Sequence, residues 1–306
     1  MQDRAIFNDW RPEHAALWGK IALRLHHGLQ DHPLFSDAAL AGLIETYPRA
    51  HYQLMQPGMT PGQRSRDGDV TGVPGEDVIE AISKGRLWIN LRNVAEVDAR
   101  YKALMTQIFN EIAAHVSGFT TLSRTIGILV SSPKSQTHYH ADLPGQSLFQ
   151  IRGRKRLYLY PPTDPFISRE QIEKITVSRK EFIGYEPWFD DHAQVLEMGP
   201  GDMIHWPLNA PHRVDNHDCL NVSMTMEFFT PAIRRQHIVN RANGIMRILK
   251  MAPRSSDASG LDFYAKAALQ RALRDTPVVR RHDAMRVVNP VFRPDPSRPG
   301  AVADLR

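Results

Sequence analysis

The stretch THYHADLPGQSLFQIRGRKRLYLYPP, from Thr137 to Pro162, decides how this chain is read. It holds two short β-type runs, Ser147–Ile151 and Arg156–Tyr160, the second ended by Pro161-Pro162. Strand side chains repeat every two residues, so His140 and Asp142 share a face. His138 shares it too, which makes His138-x-His140 a competing pair of ligands. Lys155 falls on the side of Leu157 and Leu159. That side points inward, where an unpaired ammonium is expensive.

More strands lie on either side. Thr125–Val130 reads as one, and Asp202–Trp206 as another after the turn Gly199-Pro200-Gly201. Leu220–Phe228 alternates cleanly. Leu220, Val222, Met224, Met226 and Phe228 point one way, and Asn221, Ser223, Thr225 and Glu227 the other. Short strands with turn punctuation predict a sandwich or barrel, without the alternating order of a parallel α/β sheet.

Helices are expected around this core. Leu17, Ile21, Leu25 and Leu29 recur every four residues, a helical period. Ser36 reads as the cap of a helix carrying Leu40, Leu43, Ile44 and Tyr47, stopped at Pro48. Residues 56–75 form a Gly- and Pro-rich loop, a candidate lid. A helix fits Glu76–Lys84, a strand Leu87–Leu91, and a longer helix the stripe Tyr101, Leu104, Met105, Ile108, Ile112 and Val116. Residues 163–194 form a partly helical insertion. Beyond Pro231 the helical period returns with Ile238, Ala242, Ile245 and Leu249, then Leu261–Arg274, before an extended or frayed tail from Asn289. The expected division is an N-terminal helical region over 1–120 packing on the barrel, a β core over 121–231, and a C-terminal helical region with an extended tail over 232–306.

Bulk properties narrow the class. The 306 residues are 42% hydrophobic and 23% charged, enough for a substantial core. No apolar run has the length of a membrane span, and Met1–Ile6 lacks a secretory pattern. The one cysteine, Cys219, excludes an intrachain disulfide, so a cytoplasmic location is the default expectation. The net charge of +5 is modest. The clusters Arg152–Arg156 and Arg280-Arg281 read as solvated surface rather than a nucleic-acid interface.

The segment Gly201–Asn216 offers the best candidate for a third metal ligand. Gly201 opens one strand, Pro207-Leu208-Asn209-Ala210-Pro211 makes a tight turn, and His212 opens the next strand. Two imidazoles and a carboxylate can hold one face of an octahedral iron(II) and leave the other open. A lone His-x-Asp is a weak signal, equally a hydrogen-bonded loop pair. The pair, the turn, His212 and the basic strand are informative together.

Taken together, these motifs resemble the JmjC and cupin-like family of Fe(II)/2-oxoglutarate oxygenases over roughly residues 85–230. Thr137–Pro162 is similar to the asparaginyl hydroxylases of that family. The resemblance implies a mainly β fold, a double-stranded β-helix or jelly roll of cupin type flanked by N- and C-terminal helices. It implies His140, Asp142 and His212 as iron ligands, with Lys155 and Thr137 on the distal carboxylate of the co-substrate 2-oxoglutarate. It further implies hydroxylation of a protein side chain or small metabolite, and in some members dimerisation through C-terminal helices. Asn209 stands where the family often has Gly, a mild change because Asn tolerates the left-handed conformation. Glu227 stands where relatives carry a neutral amide near the co-substrate, and Gln146 where Asn is common. His205, on a strand near the metal, is a candidate substrate contact or a packed strand histidine. Two other readings remain open. One is a cupin-type metalloenzyme using His138, His140 and His212 without 2-oxoglutarate. The other is a jelly-roll binding module that has lost catalysis, a reading that Glu227 favours.

Overall fold

The computed structural model describes residues 5–58, 65–178, 183–281 and 289–305. Its helices are α1 (Pro12–Leu17), α2 (Asp37–Thr46), α3 (Gly75–Lys84), α4 (Val94–Val97), α5 (Ala99–His115), α6 (Arg169–Ser178), α7 (Pro231–Ile248), α8 (Gly260–Leu273) and α9 (Pro277–Arg280). The N-terminal strands are β1 (Leu23–His26), β2 (Tyr52–Gln56), β3 (Arg66–Gly68) and β4 (Trp88–Leu91). The central ones are β5 (Ser123–Ser131), β6 (Gln136–His140), β7 (Gly145–Arg152), β8 (Lys155–Leu159), β9 (Gln194–Met198), β10 (Asp202–His205), β11 (His212–Asn216) and β12 (Asn221–Phe229). Two short strands close the chain, β13 (Phe292–Pro294) and β14 (Val302–Asp304).

The eight central strands make the barrel. One wall has the order β10-β7-β12-β5 and the other β6-β11-β8-β9. Successive strands alternate between the walls except at β8 and β9, which pair in the same wall, and this is the winding of a double-stranded β-helix. The major wall extends at both edges, to β1 beyond β10 and through β4, β2, β3, β13 and β14 beyond β5. Its unpaired edges are thereby moved away from the barrel.

The outer face of the major wall carries the largest core. Ile126, Ile128, Val130, Phe149, Met203, Val222, Met224 and Met226 meet Leu40, Ile44, Tyr101, Leu104 and Ile108 from α2 and α5. Ser36 caps α2 by accepting from the Ala39 amide. This agrees with its expected role, and the helices over 76–84 and 101–115 also form as the periodicity requires.

Three expectations need correction. The four-residue spacing of Leu17, Ile21, Leu25 and Leu29 is not one helix: α1 ends at Leu17, Gly19 takes a φ of +74°, and β1 follows. Leu23 and Leu25 are buried while Arg24 and His26 are exposed, so a two-residue period wins once β1 can pair with β10. Residues 1–120 therefore contribute four strands as well as helices. The 56–75 stretch is not loop throughout, since Arg66–Gly68 pairs with β2; residues 59–64, the centre of the expected lid, lie outside the described residues. The tail is extended but docked. Phe292 is fully buried against Gly68, whose missing side chain leaves room for the ring.

Among the described residues no helix is long and apolar enough to cross a membrane.

Candidate metal centre

β6 and β11 pair antiparallel with His140 directly opposite His212. The ladder slips between His212 and Val214, so that Thr137 pairs with Val214. The simple two-residue rule therefore breaks at His138, which is exposed and lines a separate surface cavity with Gln136 and Pro133. Asp142 follows β6 by two residues and turns back to both imidazoles. Its Oδ2 lies 3.3 Å from His212 Nε2, and its Oδ1 3.8 Å from His140 Nε2. The three donor atoms lie within 4.8 Å of one another, the one such metal-compatible group among the described residues.

The hydrogen bonds around this group fit a cation. His140 Nδ1 donates to the His138 carbonyl at 2.7 Å, and His212 Nδ1 to the Ala210 carbonyl at 3.1 Å. Both Nε2 lone pairs are therefore left for a shared ligand. Burial holds His212 well below the usual histidine range, at about 4, so the ring is neutral at physiological pH. Asp142 Oδ2 is buried with no hydrogen-bond partner, a costly arrangement that a metal relieves. Two imidazoles and a carboxylate in this arrangement suit iron(II).

The turn that delivers His212 is braced. Asn209 takes a φ of +60°, the left-handed conformation its residue type tolerates, and its Nδ2 donates to the Asp142 carbonyl at 2.7 Å. A glycine there would give the same turn without the brace. Trp206 packs on His212 with ring centres 4.9 Å apart.

The barrel interior is polar on one wall. Glu227 and Gln146 are paired across β12 and β7, and Thr225 lies on the same face. Gln146 Oε1 and, on β4, Asn90 Oδ1 are buried without partners. Burial first, and then the negative charge of Asp142, push the Glu227 carboxyl up to about 7, with Arg92 partly opposing both. On the opposite wall Lys155 is buried and makes no ion pair or side-chain hydrogen bond with any described residue; burial pulls its ammonium down to about 8. Thr137 is exposed at the start of β6.

His205 belongs elsewhere. It is on the outer face of the major wall, stacked on Trp18 at 3.8 Å and 8° between planes, with its Nδ1 near Ser147 Oγ and the Gln146 carbonyl. It is the packed strand histidine, because strand alternation sends Ile204 inward and His205 outward. Sequence reading missed Asn90 and Arg92. The signal was available in Leu87–Leu91, where buried Ile89 and Leu91 alternate with Trp88 and Asn90.

Comparison with known proteins agrees with this geometry. The cupin-like domain family matches residues 76–233, more than half of the chain. HSPB1-associated protein 1 of Homo sapiens is 24% identical over 163 residues, 50% of this chain and 33% of that protein. Its Rattus norvegicus counterpart is 25% identical over 155 residues, 47% of this chain and 32% of that one. The chain thus spans about a third of the length of these curated relatives. Among solved structures, E. coli YcfD superposes with a TM-score of 0.54 at 15% identity, covering 90% of this chain and 71% of YcfD. A second structure, of the ribosomal oxygenase YcfD from Escherichia coli in complex with cobalt and 2-oxoglutarate, gives 0.51 at 15% identity, covering 94% and 74%. At such identity the likeness is one of fold. With more than half of its length matched and its eight barrel strands wound as a jelly roll, the chain belongs to the cupin-like domain family.

Proposed function

We propose that this chain is an Fe(II)- and 2-oxoglutarate-dependent oxygenase that hydroxylates a protein side chain or a small metabolite. One observation carries the reading. The triad His140, Asp142 and His212 converges at β6 and β11, and the adjacent strand β8 carries Lys155, a buried ammonium with no ion pair or side-chain hydrogen bond to any described residue. A charge in that position calls for an anion. The similar fold of YcfD in complex with cobalt and 2-oxoglutarate supports the same pairing of metal and keto acid.

Iron(II) and 2-oxoglutarate bound here would supply, with dioxygen as the oxidant, hydroxylation of a C–H bond, one oxygen atom going to the product and the other to succinate, with carbon dioxide released. The protein supplies placement. His140, Asp142 and His212 hold the metal. Lys155, with Thr137 at the mouth, pairs with the distal carboxylate and fixes the length of molecule that fits. Asn209 keeps the Asp142 loop in register with the His212 turn. Glu227 and Gln146 line the wall opposite Lys155 and act on whatever lies between. Glu227 must hold its proton, or sit away from the keto-acid end, for an anion to bind beside it.

The test is succinate formation from 2-oxoglutarate by the iron-loaded protein, with His140→Ala and Asp142→Ala as controls. The reading expects turnover in the parent and none in either variant; turnover surviving in a variant removes this ligand set. Glu227 favours a second reading, a jelly-roll module that binds metal without catalysis. Calorimetry showing no 2-oxoglutarate binding by the metal-loaded protein would select it. His138 weakens the cupin reading without 2-oxoglutarate, because its exposed ring lies outside the metal-compatible group. Exposed Leu261 and Tyr264 on α8 support a homodimer through the C-terminal helices, which sedimentation tests.

A further inference from the structure

Helix α6, in the insertion between β8 and β9, has two occupied faces. Ile172 and Ile175 lie on one, and with Ile167 they cover Ala141, which is fully buried. Ala141 stands between the metal ligands His140 and Asp142. Leu143, on the other side of Asp142, packs into the same cluster. The insertion thus presses on the backbone that carries Asp142, while Asn209 holds the Asp142 carbonyl. Glu170, Glu173 and Val177 lie on the opposite face of α6, at spacings of three and four residues.

This second face is clamped to α7. Glu173 is fully buried, and its two carboxylate oxygens accept from Asn243 Nδ2 at 2.8 Å and from Arg247 Nε at 2.5 Å. Arg247 also reaches Glu170. Gly244 sits between the two donors on the same face of α7. A Cβ there would stand 2.5 Å from the Glu173 carbonyl oxygen and 2.5 Å from Val177 Cγ2, so only glycine lets the helices come this close. Helix α7 faces the Asn209 turn across a cavity of about 390 Å³, whose lining includes Ile167, Ile172 and Asn240. Its grip on the metal loop therefore passes through α6.

A buried ion pair is a poor way to gain stability, because desolvation of the charges offsets most of their attraction. What it supplies is register. Apolar helix faces slide past one another at little cost, whereas a carboxylate between two directed donors has one good position. Leucines would hold α6 on α7 as well, without fixing its place over Ala141. A metal centre is sensitive to such placement, since its ligands must be held within about 0.5 Å of the productive geometry.

We propose that Glu173, held by Asn243 and Arg247, is a positioning residue of the metal centre: it fixes α6 on Ala141 and so keeps Asp142 in place to bind the ion. That role presupposes His140, Asp142 and His212 as the ligands.

Titration of cobalt(II) into the metal-free full-length protein, followed by the visible absorption of the bound ion, tests it. The variants are Glu173→Ala and the milder Arg247→Met, at a side chain that is 33% exposed. Phe149→Ala, on the outer face of the major wall, is the control for lost stability. Urea unfolding of each metal-free protein measures that stability. The parent should bind about one cobalt, and Arg247→Met should bind it about tenfold or more weakly with an altered absorption band. Folded Glu173→Ala should bind at least as weakly. Folded Phe149→Ala should bind as the parent does, although it loses more stability than Arg247→Met. Parent-like affinity and spectrum in either folded variant overturn the proposal, as does a loss in Arg247→Met no larger than that in Phe149→Ala. A parent that binds no cobalt removes the ligand assignment and the positioning role with it, whereas the other contrary outcomes leave the ligands standing.

Discussion

The two faces of the major wall bury opposite kinds of side chain. On β12 the outward residues Val222, Met224, Met226 and Phe228 pack into the main core. The inward residues Asn221, Ser223, Thr225 and Glu227 are nearly as well covered, with Ser223 fully buried. In an ordinary half-buried sheet the polar set faces water. Here both sets are inside. A strand that alternates polar and apolar residues yet buries both marks a chamber built for a ligand, since polar groups removed from water need partners. Some are satisfied locally: Ser223 Oγ donates to Gln150 Oε1 at 2.7 Å, and Gln150 Nε2 to Asn221 Oδ1 at 2.7 Å. Others have none among the described residues: Gln146 Oε1, Asn90 Oδ1 and Asp142 Oδ2.

The comparison makes opposite demands on mutants of the two faces. The largest effect on stability should come from the outer face. Phe149→Ala, a fully buried ring facing His27 and Phe7, should cost about 3–5 kcal/mol in urea unfolding while the folded fraction keeps its metal affinity. Loss of metal binding in the folded fraction would show that the faces are not independent.

On the minor wall, Lys155→Ala should weaken 2-oxoglutarate binding roughly thirtyfold or more, equivalent to about 2 kcal/mol, without reducing apo stability. Burial holds the Lys155 ammonium near 8 in the folded protein, against about 10.5 when unfolded. Between those values the unfolded chain binds the extra proton, so stability should rise with pH in the parent relative to the variant. A flat difference across that window would mean that Lys155 already has a counter-charge.

The smallest effect concerns Glu227, with the opposite slope. Its carboxyl titrates near 7 when folded and near 4.5 when unfolded, so the parent should lose stability as pH rises through that range. Metal-free Glu227→Gln lacks this slope. It should be the more stable protein above pH 7, by on the order of 1–3 kcal/mol, with the gap closing toward pH 4.5. A gap independent of pH would place Glu227 in a solvated position.

Most of this was legible in the sequence, for reasons that differ from residue to residue. His140, Lys155 and His212 sit on strands that the sequence pattern announces, whereas Asp142 lies two residues beyond the end of β6 and reaches the imidazoles through the turn of the loop. Asn209 was readable as a left-handed turn residue, but its bond to Asp142 joins positions 67 residues apart and needed the fold. His138 was misplaced by one irregularity in the β6–β11 ladder, which no local pattern announces. The β1 segment failed for another cause. Leu25 and Leu29 satisfy a helical period, and only the partner strand β10 decides between periods. The docked tail was hidden because Phe292 finds its pocket over Gly68, more than 200 residues earlier in the chain.

The central claim is that His140, Asp142 and His212 jointly hold one metal ion. Anaerobic titration of iron(II) into the purified parent and into Asp142→Ala, read by bound metal per chain, tests it directly. The account predicts about one iron per parent chain and affinity lower by on the order of a hundredfold or more in the variant. Equal iron binding by the two proteins would contradict it.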